Sequence, residues 1–134
     1  MLKKLLSHKV TFYLDLPLRL ILASIFIFHG YGKVNGIEGT AGFFSSVGLE
    51  PSLPLAYLAA YGELIGGILI GLGLFTRIAA LNCAVIILVA IASVHLGQGF
   101  KGMEFQLLIL ASSIQLLISG SGSISLDKLI RDKL

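Results

Sequence analysis

Residues 52–75 read SLPLAYLAAYGELIGGILIGLGLF, an apolar run with a single carboxylate, Glu63, near its middle. About 20 predominantly apolar residues suffice for a helix to cross a bilayer core. A charged side chain at the centre of such a helix is unfavourable by about 2.5–3.5 kcal/mol on insertion scales, so it faces protein or a water-filled cavity. Glu63 therefore implies a bundle of helices. At 100° per residue, Gly62, Gly66 and Gly73 form one stripe, and Gly67 and Gly71 form a second beside it that includes Glu63. The Gly62-x-x-x-Gly66 and Gly67-x-x-x-Gly71 spacings allow close helix approach in lipid. Glu63 is thus expected where helices meet, either as a functional carboxylate or as a protonated hydrogen-bonder that only holds the helices together.

Composition sets the class. The chain has 134 residues, 56% hydrophobic and 13% charged, against roughly 25% charged in soluble domains. This predicts one all-α membrane domain over residues 1–134, a four-transmembrane-helix antiparallel bundle in contact with the lipid bilayer. The net charge of +3 comes mostly from the two ends of the chain, which suggests topology. No dense basic run interleaved with stacking aromatics marks a nucleic-acid surface. Cys83 is the only cysteine, which excludes chemistry needing a cysteine pair and predicts a small buried hydrophobe.

The first span is expected over about 16–33. Lys3, Lys4 and Lys9 precede it in the manner of a signal-peptide n-region, but Gly30-Tyr31-Gly32 is a poor cleavage site, so the segment is read as a retained span. Residues 34–52 form a Gly- and Ser-rich connector with an amphipathic interfacial segment around 37–47. The second span covers about 53–75 and the third about 78–96. The fourth covers about 103–119, and a tail of mixed charge follows over 120–134. A turn of Thr76 and Arg77 makes the second and third spans antiparallel neighbours. With four spans, Lys3, Lys4, Lys9, Arg77, Lys128, Arg131 and Lys133 share one side and only Lys33 and Lys101 the other. Both termini are then cytoplasmic.

The remaining polar residues fall on helical stripes. Arg19, Ala23, Phe26, Gly30 and Lys33 lie within about 80° of arc on the first span, with His29 about 40° further on. Arg77 and His95 share a face of the third, and Glu104, Leu108, Ala111 and Gln115 align within about 60° on the fourth. His29, Lys33, His95 and Glu104 collect at the external end, and Arg19, Arg77 and Gln115 at the cytoplasmic end. Glu63 lies about 13 Å below the external end of its helix, counted from Pro54. An extended Arg19 from below, or His29 and Lys33 from above, are its candidate partners. Each residue also has a structural reading. Lys33 and Arg77 serve as interface anchors, His29 and His95 as hydrogen-bonded edge residues, and Glu104 complements a helix dipole. No spacing such as H-x-x-x-H supports a metal site.

Together, Arg19, His29-Gly30-x-x-Lys33, Gly48-x-x-Pro51, Glu63 before Gly66-Gly67, Gly71-Leu72-Gly73-Leu74-x-Thr76-Arg77, His95, Glu104 and Gly120-x-Gly122-x-x-Ser125-Leu126-Asp127 resemble the DoxX family of small bacterial membrane proteins. The resemblance covers about residues 16–130. It implies a four-helix bundle in the bacterial inner membrane and an association with redox chemistry. Relatives include a subunit of a thiosulfate:quinone oxidoreductase, part of a complex handling oxidative and thiol stress, and neighbours of quinone-detoxifying enzymes. The family's usual ending has Pro between its two final glycines and often a basic residue after them, where this chain has Ser121 and Ser123.

Three functions arise as alternatives. One is a redox-associated component, with or without catalysis of its own, that binds a quinone-like or other small apolar ligand. Glu63, His29 and His95 are then the candidate catalytic or proton-handling groups, and Arg19, Lys33 and Arg77 compensate charge, with Glu104 and Gln115 completing the polar network. Another is a non-catalytic anchor or assembly partner of another protein, including a second copy of itself. The third is a proton or small-solute pathway. The chain carries no nucleotide, haem or metal motif.

Overall fold

A computed structural model of the chain describes residues 15–134, and among these it is helical with no strand. Helix α1 spans Asp15–Asn35, α2 Ile37–Ser46, α3 Ser52–Leu72 and α4 Thr76–Ala90. A π turn, Ile91–His95, and a 3-10 turn, Leu96–Gln98, lead into α5, Gly99–Ser119, and a short α6, Leu126–Arg131, comes last. Lys3, Lys4 and Lys9, expected on the cytoplasmic side, lie outside the described residues.

Two helical stretches are long and apolar enough to cross a membrane, Ser52–Leu72 and the continuous run Thr76–Ser119, and α1 joins them if it is taken with α2, which bends away from it by 96°. The 44-residue run is not one rod. Straight, it would place Arg77 about 60 Å from Ile118, yet the Arg77 Nη2 donates to the Ile118 carbonyl at 3.2 Å. The run therefore doubles back through the π and 3-10 turns, and α4 packs along α5. Helix α5, the expected fourth span, begins at Gly99, earlier than the expected 103, and the expected connector is helical over Ile37–Ser46.

Helix α3 packs against α1, α4 and α2, and its two glycine stripes face α1 and α4. A Cβ on Gly67 would lie 2.9 Å from the Ile27 backbone nitrogen of α1, and one on Gly71 would lie 3.3 Å from the Ala23 Cβ. On the other stripe, a Cβ on Gly66 would meet the Cys83 Sγ of α4 at 2.9 Å, and Gly62 offers its carbonyl to the Asn82 Nδ2 at 2.9 Å. Leu22, Phe26, Ile70, Cys83, Ile109 and Leu116 join these contacts into one core. Large apolar side chains such as Phe28, Leu58 and Ile118 remain exposed, as expected where the surrounding solvent is lipid.

Gly30 makes the closest approach, because a Cβ there would overlap the Leu64 backbone of α3. Gly30→Ala is expected to destabilise the protein by at least about 1–3 kcal/mol, since neither backbone can yield without moving its helix. Gly32→Ala, with nothing within 4 Å of a new Cβ, should be neutral or slightly stabilising. Thermal unfolding of the two variants in detergent compares them.

The α3–α4 corner needs its glycine. Gly73 has φ 67° and its N–H bonds the Ile70 carbonyl at 3.1 Å, while the Leu74 N–H bonds the Leu69 carbonyl at 2.9 Å. This is a Schellman ending. A Cβ at Gly73 would also collide with the Arg19 guanidinium and the Ser125 Cβ, so both conformation and space demand glycine.

Candidate functional site

Glu63 is held between α3 and α1 by the close approach at Gly30. It is 4% exposed, and its Oε2 accepts a hydrogen bond from the Lys33 Nζ at 2.6 Å. Lys33 lies at the last turn of α1, and its side chain keeps 27% of its surface accessible, against 6% for that of Glu63. Of the expected partners, Lys33 from above is the one that meets the carboxylate. Among the described residues this is the sole salt bridge, and the Oε1 of Glu63 accepts no hydrogen bond from them.

The pair lies on the wall of a cavity of about 740 Å³, within the usual size range of small-molecule sites. The wall is otherwise mostly apolar. Phe43 and Phe44 of α2, Leu55 of α3, Val85 and Ile87 of α4 and Ile109 of α5 contribute to it, and His29, His95 and Gln106 are its other polar side chains of note. Leu58, Val85 and Phe105 also line it while remaining broadly exposed, so the cavity borders the surface through apolar side chains. His29 is exposed, its ring edge-on to Phe28 at 5.7 Å. His95 is half-buried, its Nδ1 3.0 Å from the Ala90 carbonyl.

Arg19 does not reach Glu63, which corrects the sequence-based expectation. It is 2% exposed. Its Nε donates to the Ile70 carbonyl at 3.0 Å and its Nη2 to the Gly71 carbonyl at 3.0 Å. Its Nη1 donates to the carbonyls of Ser121 and Ile124, both at 2.7 Å. The reason lies in helix ends. The last carbonyls of α3 lack intrahelical partners and carry the negative end of its dipole. Ile70 is also two turns, about 10 Å, from Glu63. Arg19 thus clasps the end of α3 to the segment after α5.

Asp127 completes that clasp. Its carboxylate accepts the N–H of Phe75 at 2.7 Å and of Thr76 at 3.0 Å, at the start of α4, and its own N–H bonds the Gly73 carbonyl at 2.9 Å. Burial alone would raise the Asp127 pKa, but the N–H groups of Thr76 and Phe75 outweigh it and hold the carboxyl below its ordinary value. A depressed folded-state pKa means that the contribution is complete above the unfolded value, about 3.9, and is lost as pH falls through the folded one. Asp127→Asn should lower stability at neutral pH by about 1–2 kcal/mol and flatten its loss on acidification below about pH 4. Melting temperature measured against pH tests both.

The other expected network members lie elsewhere. Glu104 and Gln115 are exposed, together with Leu108 and Ala111 of the same stripe, whereas α5 buries Ile109, Ser113 and Leu116. The alternating faces of α5 are thus the reverse of the expected ones, because its packing surface is the i, i+4, i+7 stripe of those three residues. Arg77 is exposed and caps the end of α5 through Ile118. Phe43 and Phe44, legible in the sequence as an aromatic pair in the connector, line the cavity, and so do Gln106 and Thr40, which the sequence did not single out. The Gln106 polarity alone could have flagged it, whereas the α2 residues needed the 96° bend. Among the described residues, no three His, Cys, Asp or Glu side chains gather as metal ligands.

The DoxX family model matches residues 14–96. The chain belongs to the DoxX family. The matched stretch of this DoxX chain contains Arg19, His29, Lys33, Glu63, Arg77 and His95 and stops short of Glu104 and Gln115. Over 116 residues the chain is 45% identical to a Bacillus subtilis (strain 168) protein named "Putative oxidoreductase CatD", covering 86% of this chain and 85% of that protein. It is 32% identical over 120 residues to the inner membrane protein YqjF of Escherichia coli (strain K12), covering 86% and 90%. It is 30% identical over 119 residues to the inner membrane protein YphA of the same organism, covering 82% and 85%. No solved structure matches the chain.

Proposed function

We propose that this DoxX protein is a redox-associated component of the bacterial inner membrane that holds a quinone-like molecule in the cavity beside Lys33 and Glu63. One observation carries the reading: a part-buried ion pair on the wall of a mostly apolar cavity of about 740 Å³. The apolar wall suits a lipid-soluble body. Lys33 has N–H donors beyond the one that bonds Glu63, and Glu63 keeps its Oε1 as an acceptor, so the pair can bond a carbonyl or a hydroxyl head. The oxidoreductase name of the Bacillus relative and the inner-membrane names of the two Escherichia relatives support the setting.

In this reading α1, α3, α4 with its π turn, and α5 are four antiparallel spans, with both termini in the cytoplasm. The fold-back of Arg77 onto Ile118 supports the count, and the excess of Lys and Arg on the side of Arg77, Lys128, Arg131 and Lys133 supports the orientation. The chain's own residues bind and orient the ligand and exclude bulk water, with Glu63 and the two histidines placed to move a proton at its head. Redox equivalents would come from a partner enzyme.

Titrating detergent-purified protein with a short-chain quinone tests the reading. A saturable rise in melting temperature that Lys33→Leu abolishes is expected, and no shift in the wild type would refute quinone binding. A second reading, a non-catalytic anchor or assembly partner, is favoured by Arg19, whose buried charge serves only backbone carbonyls. Under it, Glu63→Gln would leave the cellular phenotype of the wild type intact.

A further inference from the structure

We infer that His95 reads the occupant of the cavity, favouring membrane-soluble molecules that present a hydroxyl hydrogen to the His95 Nε2, and so the quinol form of a quinone over its oxidised form. The inference rests on the cavity being a ligand site.

The local backbone places the ring. The helix that begins as α4 ends in a π turn over Ile91–His95, and a π turn adds one residue to a helical turn and so rotates the residues beyond it by about 100° relative to an uninterrupted α-helix. His95 ends that turn, is half-buried and is among the residues that line the cavity, together with Val94, Phe105 and Gln106. Such π insertions are frequent at functional sites.

The hydrogen bonding fixes the chemical character of each ring nitrogen. The Nδ1 lies 3.0 Å from the Ala90 carbonyl oxygen. A carbonyl only accepts, so Nδ1 must carry the proton, and in the neutral ring Nε2 is then a bare acceptor. No described residue donates to Nε2. A cavity whose wall is chiefly apolar offers this acceptor little competition from other protein groups. An occupant with a hydroxyl at that position gains a hydrogen bond, whereas one with an ether or a methyl covers the acceptor without pairing it. The same asymmetry makes a site built for a hydroxyl reject the analogue that lacks one.

Two probes separate the possibilities, 4-heptylphenol and 4-heptylanisole, which share an apolar body and differ in an O–H against an O–CH₃. Calorimetric titration of the detergent-solubilised full chain should give roughly fivefold to tenfold tighter binding of the phenol to the wild type. His95→Phe should bring the ratio to within about twofold without weakening the ether. His95→Gln, whose amide oxygen reaches the neighbourhood of Nε2, should restore part of the ratio. Gln115→Leu, on the outer face of α5, controls for a general effect of substitution and should keep the full ratio. Equal binding of both probes to the wild type, or an unchanged ratio in His95→Phe, overturns the role of His95 and leaves the cavity reading standing. Binding of neither probe overturns both. If His95→Phe does not fold, His95→Gln decides, since loss of the preference with retained ether binding would contradict the acceptor role.

Discussion

Arg19→Met should cost this protein a large part of its stability, on the order of 3–5 kcal/mol, out of the roughly 5–15 kcal/mol typical of folded proteins. Four hydrogen bonds from the guanidinium end at buried or half-buried carbonyls of Ile70, Gly71, Ser121 and Ile124. Each bond from a charged donor is worth about 1.5–3 kcal/mol net, and relief of burying the charge offsets part of the sum. A methionine fills the volume but leaves the Gly71, Ser121 and Ile124 carbonyls without this donor and the Ile70 carbonyl with the Gly73 N–H alone. The substitution should therefore do two things: lower the melting temperature in detergent, and release the segment after α5 to proteolysis. Arg19→Lys should be nearly as damaging, because one ammonium cannot span acceptors on both sides of the clasp. A melting temperature within a degree or two of the wild type would show that the carbonyls find other partners.

The second large effect concerns the ion pair. Lys33→Leu leaves Glu63 buried without its cation; breaking a fully buried pair from one side costs about 3–5 kcal/mol, and the partial exposure of Lys33 puts this pair at or below the lower end of that range. The double variant Lys33→Leu/Glu63→Gln removes the charge as well and should recover most of that loss. Unfolding of the wild type, both single variants and the double variant yields a coupling energy. A coupling near zero would mean that Lys33 and Glu63 are each satisfied independently, in conflict with the 2.6 Å contact between them.

Legibility in the sequence varies by residue. The helix interface around Glu63 was legible because glycine spacing and the penalty on an intramembrane charge are both local properties of residues 62–73. Lys33 was legible as one of three candidate partners, beside Arg19 and His29, because height and face come from counting turns, but turn counting did not choose among them. The partners of Arg19 were not legible, since every residue carries a carbonyl and only the fold shows which are left unpaired at a helix end. The stripe on α5 misled for a related reason. Glu104 and Gln115 align, but polar alignment does not say which face packs, and Ile109, Ser113 and Leu116 take the interior. The cavity wall from α2 depends on a 96° bend between consecutive helices, which no periodicity encodes.

The most direct measurement is the small-molecule content of the protein taken gently from its own membranes. Wild type and the Lys33→Leu/Glu63→Leu double variant, extracted in parallel and analysed by mass spectrometry, differ only in the polar end of the cavity. A quinone retained at near-stoichiometric amount by the wild type and lost from the variant is the predicted result. The same quinone content in both proteins, or phospholipid alone in each, would contradict a ligand site built on Lys33 and Glu63.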